Sequence, residues 1–77
     1  MKLTVKYFGM LTEVTGCQEE IIPFNGERIS ELLALLTDKY PGLKQKHFQV
    51  AHAMEIADMD TRVTKPEIAL LPPFSGG

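Results

Sequence analysis

One strong helical pattern, and only one, lies in the middle of this chain, with short strand patterns on both sides of it. Leu32, Leu33, Leu35, Leu36 and Tyr40 recur at helical spacing on one face, and Glu31, Thr37, Asp38 and Lys39 turn the other way. Ser30 is a candidate N-cap whose hydroxyl accepts from a free first-turn N–H, and Ile29 before it is a candidate hydrophobic staple. Pro41-Gly42 stops the pattern, because proline cannot continue the ladder and glycine accepts a left-handed cap. The spacing predicts a helix over residues 31–40. A lone amphipathic helix needs a sheet against which to bury its apolar face, so the fold class narrows to α+β.

The flanking segments supply that sheet. Residues 1–8 alternate, with Met1, Leu3, Val5 and Tyr7 on one face and Lys2, Thr4 and Lys6 on the other, the pattern of a half-buried strand ended by Gly9. Residues 17–24 form a second strand centred on Ile21-Ile22. Pro23 near its end lacks an N–H and marks an edge strand. These two pair as an antiparallel hairpin through a long turn over residues 10–16. After a polar link at 43–47, residues 48–53 and 55–57 read as a third and a short fourth strand, and Asp58, Asp60 and Thr61 as a turn. The apolar run 68–71 is expected at the sheet centre beside the first strand, covered on both faces. The whole is a mixed sheet of about five strands packed on one main helix.

Composition sets the limits of function. Leu, Ile, Val and Phe make up 22 of 77 residues, above the one-fifth or so below which disorder is expected. Eight basic against ten acidic residues leave a charge of −2, without the basic excess of a nucleic-acid module. No apolar run approaches the roughly 20 residues that span a bilayer, and no secretory signal pattern opens the chain. A single cysteine, Cys17, forms no internal disulfide, so a reduced, cytoplasmic compartment is expected. So small a domain has little room for both a core and a substrate pocket of about 300 Å³ or more. A carrier or accessory subunit fits better than a self-sufficient enzyme.

The last eight residues carry the chemistry. In Leu70-Leu71-Pro72-Pro73-Phe74-Ser75-Gly76-Gly77 a buried strand runs straight into two prolines, which end sheet pairing and stiffen the chain as it leaves. Two glycines then remove every Cβ, so that a narrow channel admits the backbone and its unshielded carboxylate. The chain divides into a domain over 1–71 and an extended tail over 72–77. Gly-Gly alone also fits an inert end; the strand and the Pro-Pro before it point to a presented C-terminus.

This tail resembles that of the MoaD-like sulfur carriers, the small subunits of molybdopterin synthase, which have the ubiquitin-like β-grasp fold. The likeness extends to the opening strand at 2–9, to the helix with its Tyr40-Pro41-Gly42 stop, and to Val50-Ala51. Ala53-Met54 stands where that family carries an Asn-containing tight turn, Pro66 where a glycine turn is common, and Phe74 where valine is often found. The resemblance implies that a ubiquitin-activating-like adenylyltransferase uses ATP to adenylate the Gly77 carboxylate, and that a sulfur donor protein provides the sulfur for a thiocarboxylate. It further implies that the tail enters the molybdopterin synthase large subunit and gives its sulfur to a cyclic pyranopterin precursor. Gly77 is then the reacting residue, Gly76 gives clearance, Pro72 and Pro73 set direction, Leu71 and Phe74 are apolar anchors, and Ser75 completes the partner-binding stretch. No permanently bound cofactor, metal, nucleic acid or membrane is implied. The same chemistry fits a carrier for thiamine, cysteine or tRNA thiolation, or a ubiquitin-like protein modifier, and an inert β-grasp interaction module is the third possibility.

Other residues carry less. His47 and His52 lack the further ligands of a metal site and read as surface or sheet-face histidines. Asp58 and Asp60 lack the glycine and distal glutamate of a calcium loop. Cys17 has no basic neighbour in sequence and reads as a structural thiol. Glu19, Glu20 and Glu27 read as an ordinary solvated surface or as an acidic face for a basic partner.

Overall fold

The computed structural model describes residues 1–73. In chain order the elements are β1 (Lys2–Tyr7), α1 (Leu11–Thr15), β2 (Glu19–Pro23), α2 (Ile29–Lys39), a 3₁₀ turn (Pro41–Gln45), β3 (Gln49–His52), β4 (Glu55–Ala57) and β5 (Glu67–Leu71). The strands form one mixed sheet in the order β2-β1-β5-β3-β4. β1 pairs antiparallel with β2 and parallel with β5, in the register Leu3 to Ile22 and Val5 to Ile68. β5 in turn pairs antiparallel with β3, placing Ala51 opposite Ala69. The α+β architecture, the edge position of β2 and the central position of β5 are those expected from the sequence.

Period-two alternation decides which side chains meet the helix. Leu3, Val5 and Tyr7 from β1, Ile22 from β2, Val50 from β3, and Ile68 and Leu70 from β5 are all buried, and Ile29, Leu32 and Leu36 of α2 lie in the same core. Met1 shares the parity of Leu3 but stays exposed at the end of the strand.

Five details differ from the sequence-based reading. The turn at 10–16 contains α1, too short for any helical periodicity to show, with left-handed glycines on either side of it at Gly9 (φ 60°) and Gly16 (φ 78°). The helix starts at Ile29 without a Ser30 cap. The carboxylate of Glu31 accepts from the N–H groups of Glu27 and Arg28, while the Thr61 and Met59 carbonyls take those of Ile29 and Ser30. Leu35 is exposed, since Leu32 and Leu36 already fill the narrow stripe that faces the sheet. The link at 43–47 is not wholly polar, because the 3₁₀ turn drives Leu43 into the core, and Gly42 is not left-handed. The far face of β5 is only half covered. Ala51, Ala69 and Lys6 help line an open groove of about 210 Å³ there, because α2 packs on the opposite face alone.

The β3–β4 hairpin turns on Ala53 and Met54, both left-handed at φ 54° and 67°. A two-residue hairpin of this hand normally uses Asn-Gly. The side chain of Met54 is fully exposed at its tip.

Candidate functional site

The sheet delivers the C-terminal segment at the end where β1 stops. Leu71 is the last residue of β5, in register with Gln49 and half-buried, and the Phe8 N–H donates to the Leu70 carbonyl at 3.2 Å. Pro72 and Pro73 follow at once and are exposed. With no N–H to offer, they end the ladder where the sequence places its end. Phe8, Leu71, Pro72 and Pro73 together line an apolar cavity of about 220 Å³, open to solvent, with Phe8 itself 45% exposed. Phe8 is a surface apolar residue that the sequence reading did not single out. Its parity placed it outside the buried face of β1, and only the fold brings it beside residues 71–73.

The structure thus brings Leu71, Pro72 and Pro73 to one apolar corner of the domain. Phe74, Ser75, Gly76 and Gly77, the remaining residues singled out in the tail, lie outside the described residues. On the same end of the sheet, Lys6, Tyr7, Phe8, Gly9, Thr12, Gln18 and Glu19 line a larger open cavity of about 560 Å³. Its lining offers hydrogen-bonding groups and one lysine and one glutamate, without a nucleophile held beside a base.

The one described cluster of titratable side chains lies between β1, β2 and α2. Glu20 accepts hydrogen bonds from the hydroxyls of Tyr7 and Tyr40, both at 2.6 Å, and from the Lys39 ammonium. Burial pushes the Glu20 carboxyl up, but the hydrogen bonds from Lys39, Tyr40 and Tyr7 outweigh it and hold the carboxyl below the usual glutamate range. Burial, with the Glu20 carboxylate beside them, raises both tyrosine hydroxyls well above their ordinary value. The rings of Tyr7 and Tyr40 meet edge to face, 6.1 Å between centroids. This arrangement is a clamp: it ties edge strand β2 to the C-terminal end of α2 and holds its phenols neutral. Glu20 is therefore no part of a solvated acidic face. Its alternation with Ile22 and Phe24 was the available signal, since strand parity turns all three inward.

His52 is buried, and its Nε2 accepts from the N–H groups of Thr64 (3.0 Å) and Lys65 (3.1 Å). It anchors the loop that leads into β5, whereas His47 is exposed. Asp58 Oδ1 accepts from the Asp60 N–H and the Thr61 hydroxyl, closing the expected turn. Cys17 is a free thiol packed against the core. Among the described residues no three His, Cys, Asp or Glu side chains gather where they can hold a metal ion, and no helix is long and apolar enough to cross a membrane.

Comparison with known proteins adds to this geometry. The sequence profile of the ThiS family matches residues 5–77. A molybdopterin synthase sulfur carrier subunit from Caenorhabditis briggsae is 32% identical over 83 residues, which cover 100% of this chain and 99% of that one. Among solved structures, SAMP1 from Haloferax volcanii, a small archaeal modifier protein, has a TM-score of 0.81 at 26% identity over 100% of both chains. A chain in the complex of subunits 1 and 2 of the molybdopterin-converting factor from Helicobacter pylori 26695 has a TM-score of 0.72 at 28% identity, again over 100% of both.

Proposed function

The chain belongs to the ThiS family, and we propose on that footing that it is the sulfur carrier subunit of a molybdopterin synthase. The observation that carries this reading is the 32% identity to a molybdopterin synthase sulfur carrier subunit along the full length of this chain. The likeness to a chain of the two-subunit molybdopterin-converting factor supports a larger synthase subunit as partner. An apolar corner at Leu71, Pro72 and Pro73 suits a body that docks while its tail reaches elsewhere.

In this reading a carboxylate oxygen of Gly77 attacks the α-phosphorus of ATP in an activating enzyme, and pyrophosphate leaves. A carboxylate is a poor electrophile, and the acyl-adenylate makes it a good one. Hydrosulfide supplied by a donor protein then attacks the carbonyl carbon, AMP leaves, a proton is released, and a thiocarboxylate remains. In the large subunit that sulfur passes to the pyranopterin precursor, two such deliveries building a dithiolene. This chain contributes no general acid or base; those groups belong to the partner. Gly76 gives clearance, Leu71 and Phe74 anchor, Ser75 lies along the partner's channel, and the prolines hold direction. The chain works in the cytoplasm and holds no cofactor of its own, the ATP being consumed by the activating enzyme.

Reconstitution tests the reading. The chain, thiocarboxylated and mixed with the large subunit, is expected to convert the precursor, and the chain lacking Gly76-Gly77 to convert none. A second reading, conjugation to protein lysines through the same acyl-adenylate, is favoured by the likeness to SAMP1. Isopeptide-linked species of higher mass in the native cell, absent with the truncated chain, would mark it.

A further inference from the structure

Gly9 is the residue against which the proline stalk is seated. A Cβ built at Gly9 would lie 2.7 Å from Cγ of Pro72, with Cδ and Cβ of the same ring at 3.7 and 3.8 Å. No real Cβ tolerates the first distance, so the ring occupies space that only glycine leaves open. The backbone at Gly9 is also left-handed, at φ 60°. The seat is fixed from below: the Gly9 carbonyl accepts from both the N–H and the hydroxyl of Thr12, at 3.2 and 2.9 Å, and the Phe8 carbonyl accepts from the Leu11 N–H at 3.2 Å. On the other side, the Phe8 N–H to Leu70 carbonyl bond holds the same loop to the end of β5. Pro72, with its own φ restricted by its ring, therefore rests on a surface that has little freedom to move.

From this geometry we infer that Gly9 is a positioning residue for the carrier reaction, setting through Pro72 the direction in which the chain leaves the sheet toward its reacting end. The inference rests on the sulfur-carrier reading above. It makes a short helix and its glycine, remote from the C-terminus in sequence, part of the delivery apparatus. A Cβ at position 9 displaces Pro72. A displaced stalk lowers the fraction of docked complexes in which the terminal carboxylate meets ATP. The docking corner keeps Phe8, Leu71 and Pro73 when Pro72 shifts, so the loss falls on kcat more than on KM.

Gly16 provides the control for backbone strain. It is left-handed as well, at φ 78°, but a Cβ there meets nothing within 4 Å. Gly9→Ala and Gly16→Ala thus share the conformational strain, and only the first strikes Pro72. Gly9→Asn keeps the clash while relieving the strain, because asparagine tolerates left-handed backbone; it serves if Gly9→Ala folds poorly. The experiment measures ATP–pyrophosphate exchange by the adenylating enzyme that thiocarboxylates the wild-type chain, with each folded variant as substrate. Gly9→Ala and Gly9→Asn are each expected to lower kcat about tenfold with KM changed by no more than about twofold, and Gly16→Ala to stay within about twofold in both. In a Pro72→Ala background, which lacks Cγ, Gly9→Ala is expected to cost no more than about twofold further, the non-additivity expected of groups in contact. A nuclear Overhauser contact between the Gly9 α-protons and the Pro72 ring is expected in the wild-type chain. Equal losses for Gly9→Ala and Gly16→Ala, an undiminished loss in the Pro72→Ala background, or a missing Gly9–Pro72 contact would each overturn the inference while leaving the carrier reading intact. A wild-type chain that takes up no sulfur from any activating enzyme removes the carrier reading, and this inference with it.

Discussion

Ala53 and Met54 adopt a backbone conformation that suits neither of them, φ 54° and 67°. For residues with a Cβ this conformation costs on the order of 1–2 kcal/mol each, and asparagine and glycine adopt it with little or no penalty. Ala53→Asn with Met54→Gly is accordingly expected to stabilise the domain by about 1 kcal/mol after the added unfolded-state entropy of glycine is subtracted. Thermal unfolding checks this, with a rise of about 4–8 °C expected for each kcal/mol in a domain of this size. The resemblance placed a tight turn at Ala53-Met54, but its left-handed backbone was not legible, since nothing in Ala-Met signals it; only the spacing of β3 and β4 demands it. Glu20 teaches the same lesson about side chains. Its carboxylate serves three donors, so Glu20→Gln is expected to cost about 1.5–3 kcal/mol in urea unfolding at neutral pH. The depressed Glu20 carboxyl contributes stability that is complete above the ordinary glutamate value of about 4.3 and is lost as pH falls through its lower folded value. The acid limb of the stability profile is therefore expected to be shallower in Glu20→Gln. The raised tyrosine hydroxyls act at the other end, their stability complete below about pH 10 and lost as pH rises beyond it.

At the scale of elements, legibility followed periodicity. β1 and α2 show several repeats of their period, and their buried faces at Leu3, Val5 and Tyr7 and at Leu32 and Leu36 were readable. α1 and the 3₁₀ turn at Pro41–Gln45 last barely one turn, too short for a pattern, and both appeared as loops. The start of α2 was misplaced because the N–H groups of Ile29 and Ser30 find tertiary acceptors in the Thr61 and Met59 carbonyls, and the one local signal was Glu31, whose carboxylate takes the Arg28 N–H. Of the candidate site, Leu71, Pro72 and Pro73 were legible from chain order; Phe8 and Gly9 were not, because only sheet closure brings β1's end beside β5's. His52 shows how one side chain joins elements. His52→Ala would leave the N–H groups of Thr64 and Lys65 without their acceptor and is expected to cost about 1–3 kcal/mol. Amide exchange at those two residues is expected to quicken more than at Val50 in β3. Unchanged protection at 64 and 65 would show that the imidazole is not the anchor.

At the scale of the molecule, one sheet and α2, joined by Leu11 of α1 and Leu43 of the 3₁₀ turn, build a single core among the described residues. Its described cavities are open, and its titratable cluster is a clamp between elements rather than a catalytic array. Such a body is suited to carrying a chain end and presenting it, which is the division of labour proposed here: a rigid domain, a stalk seated at Gly9, and chemistry performed elsewhere on Gly77. That division of labour turns on Gly77 becoming a thiocarboxylate. Intact-mass measurement after incubation with ATP, a sulfur donor and the cognate activating enzyme tests it most directly, with the chain lacking Gly77 beside it. The full-length chain is expected to gain the mass of one sulfur less one oxygen and the shortened chain to gain nothing. A full-length chain of unchanged mass, with an enzyme shown to be active on another carrier of its pathway, would contradict the claim.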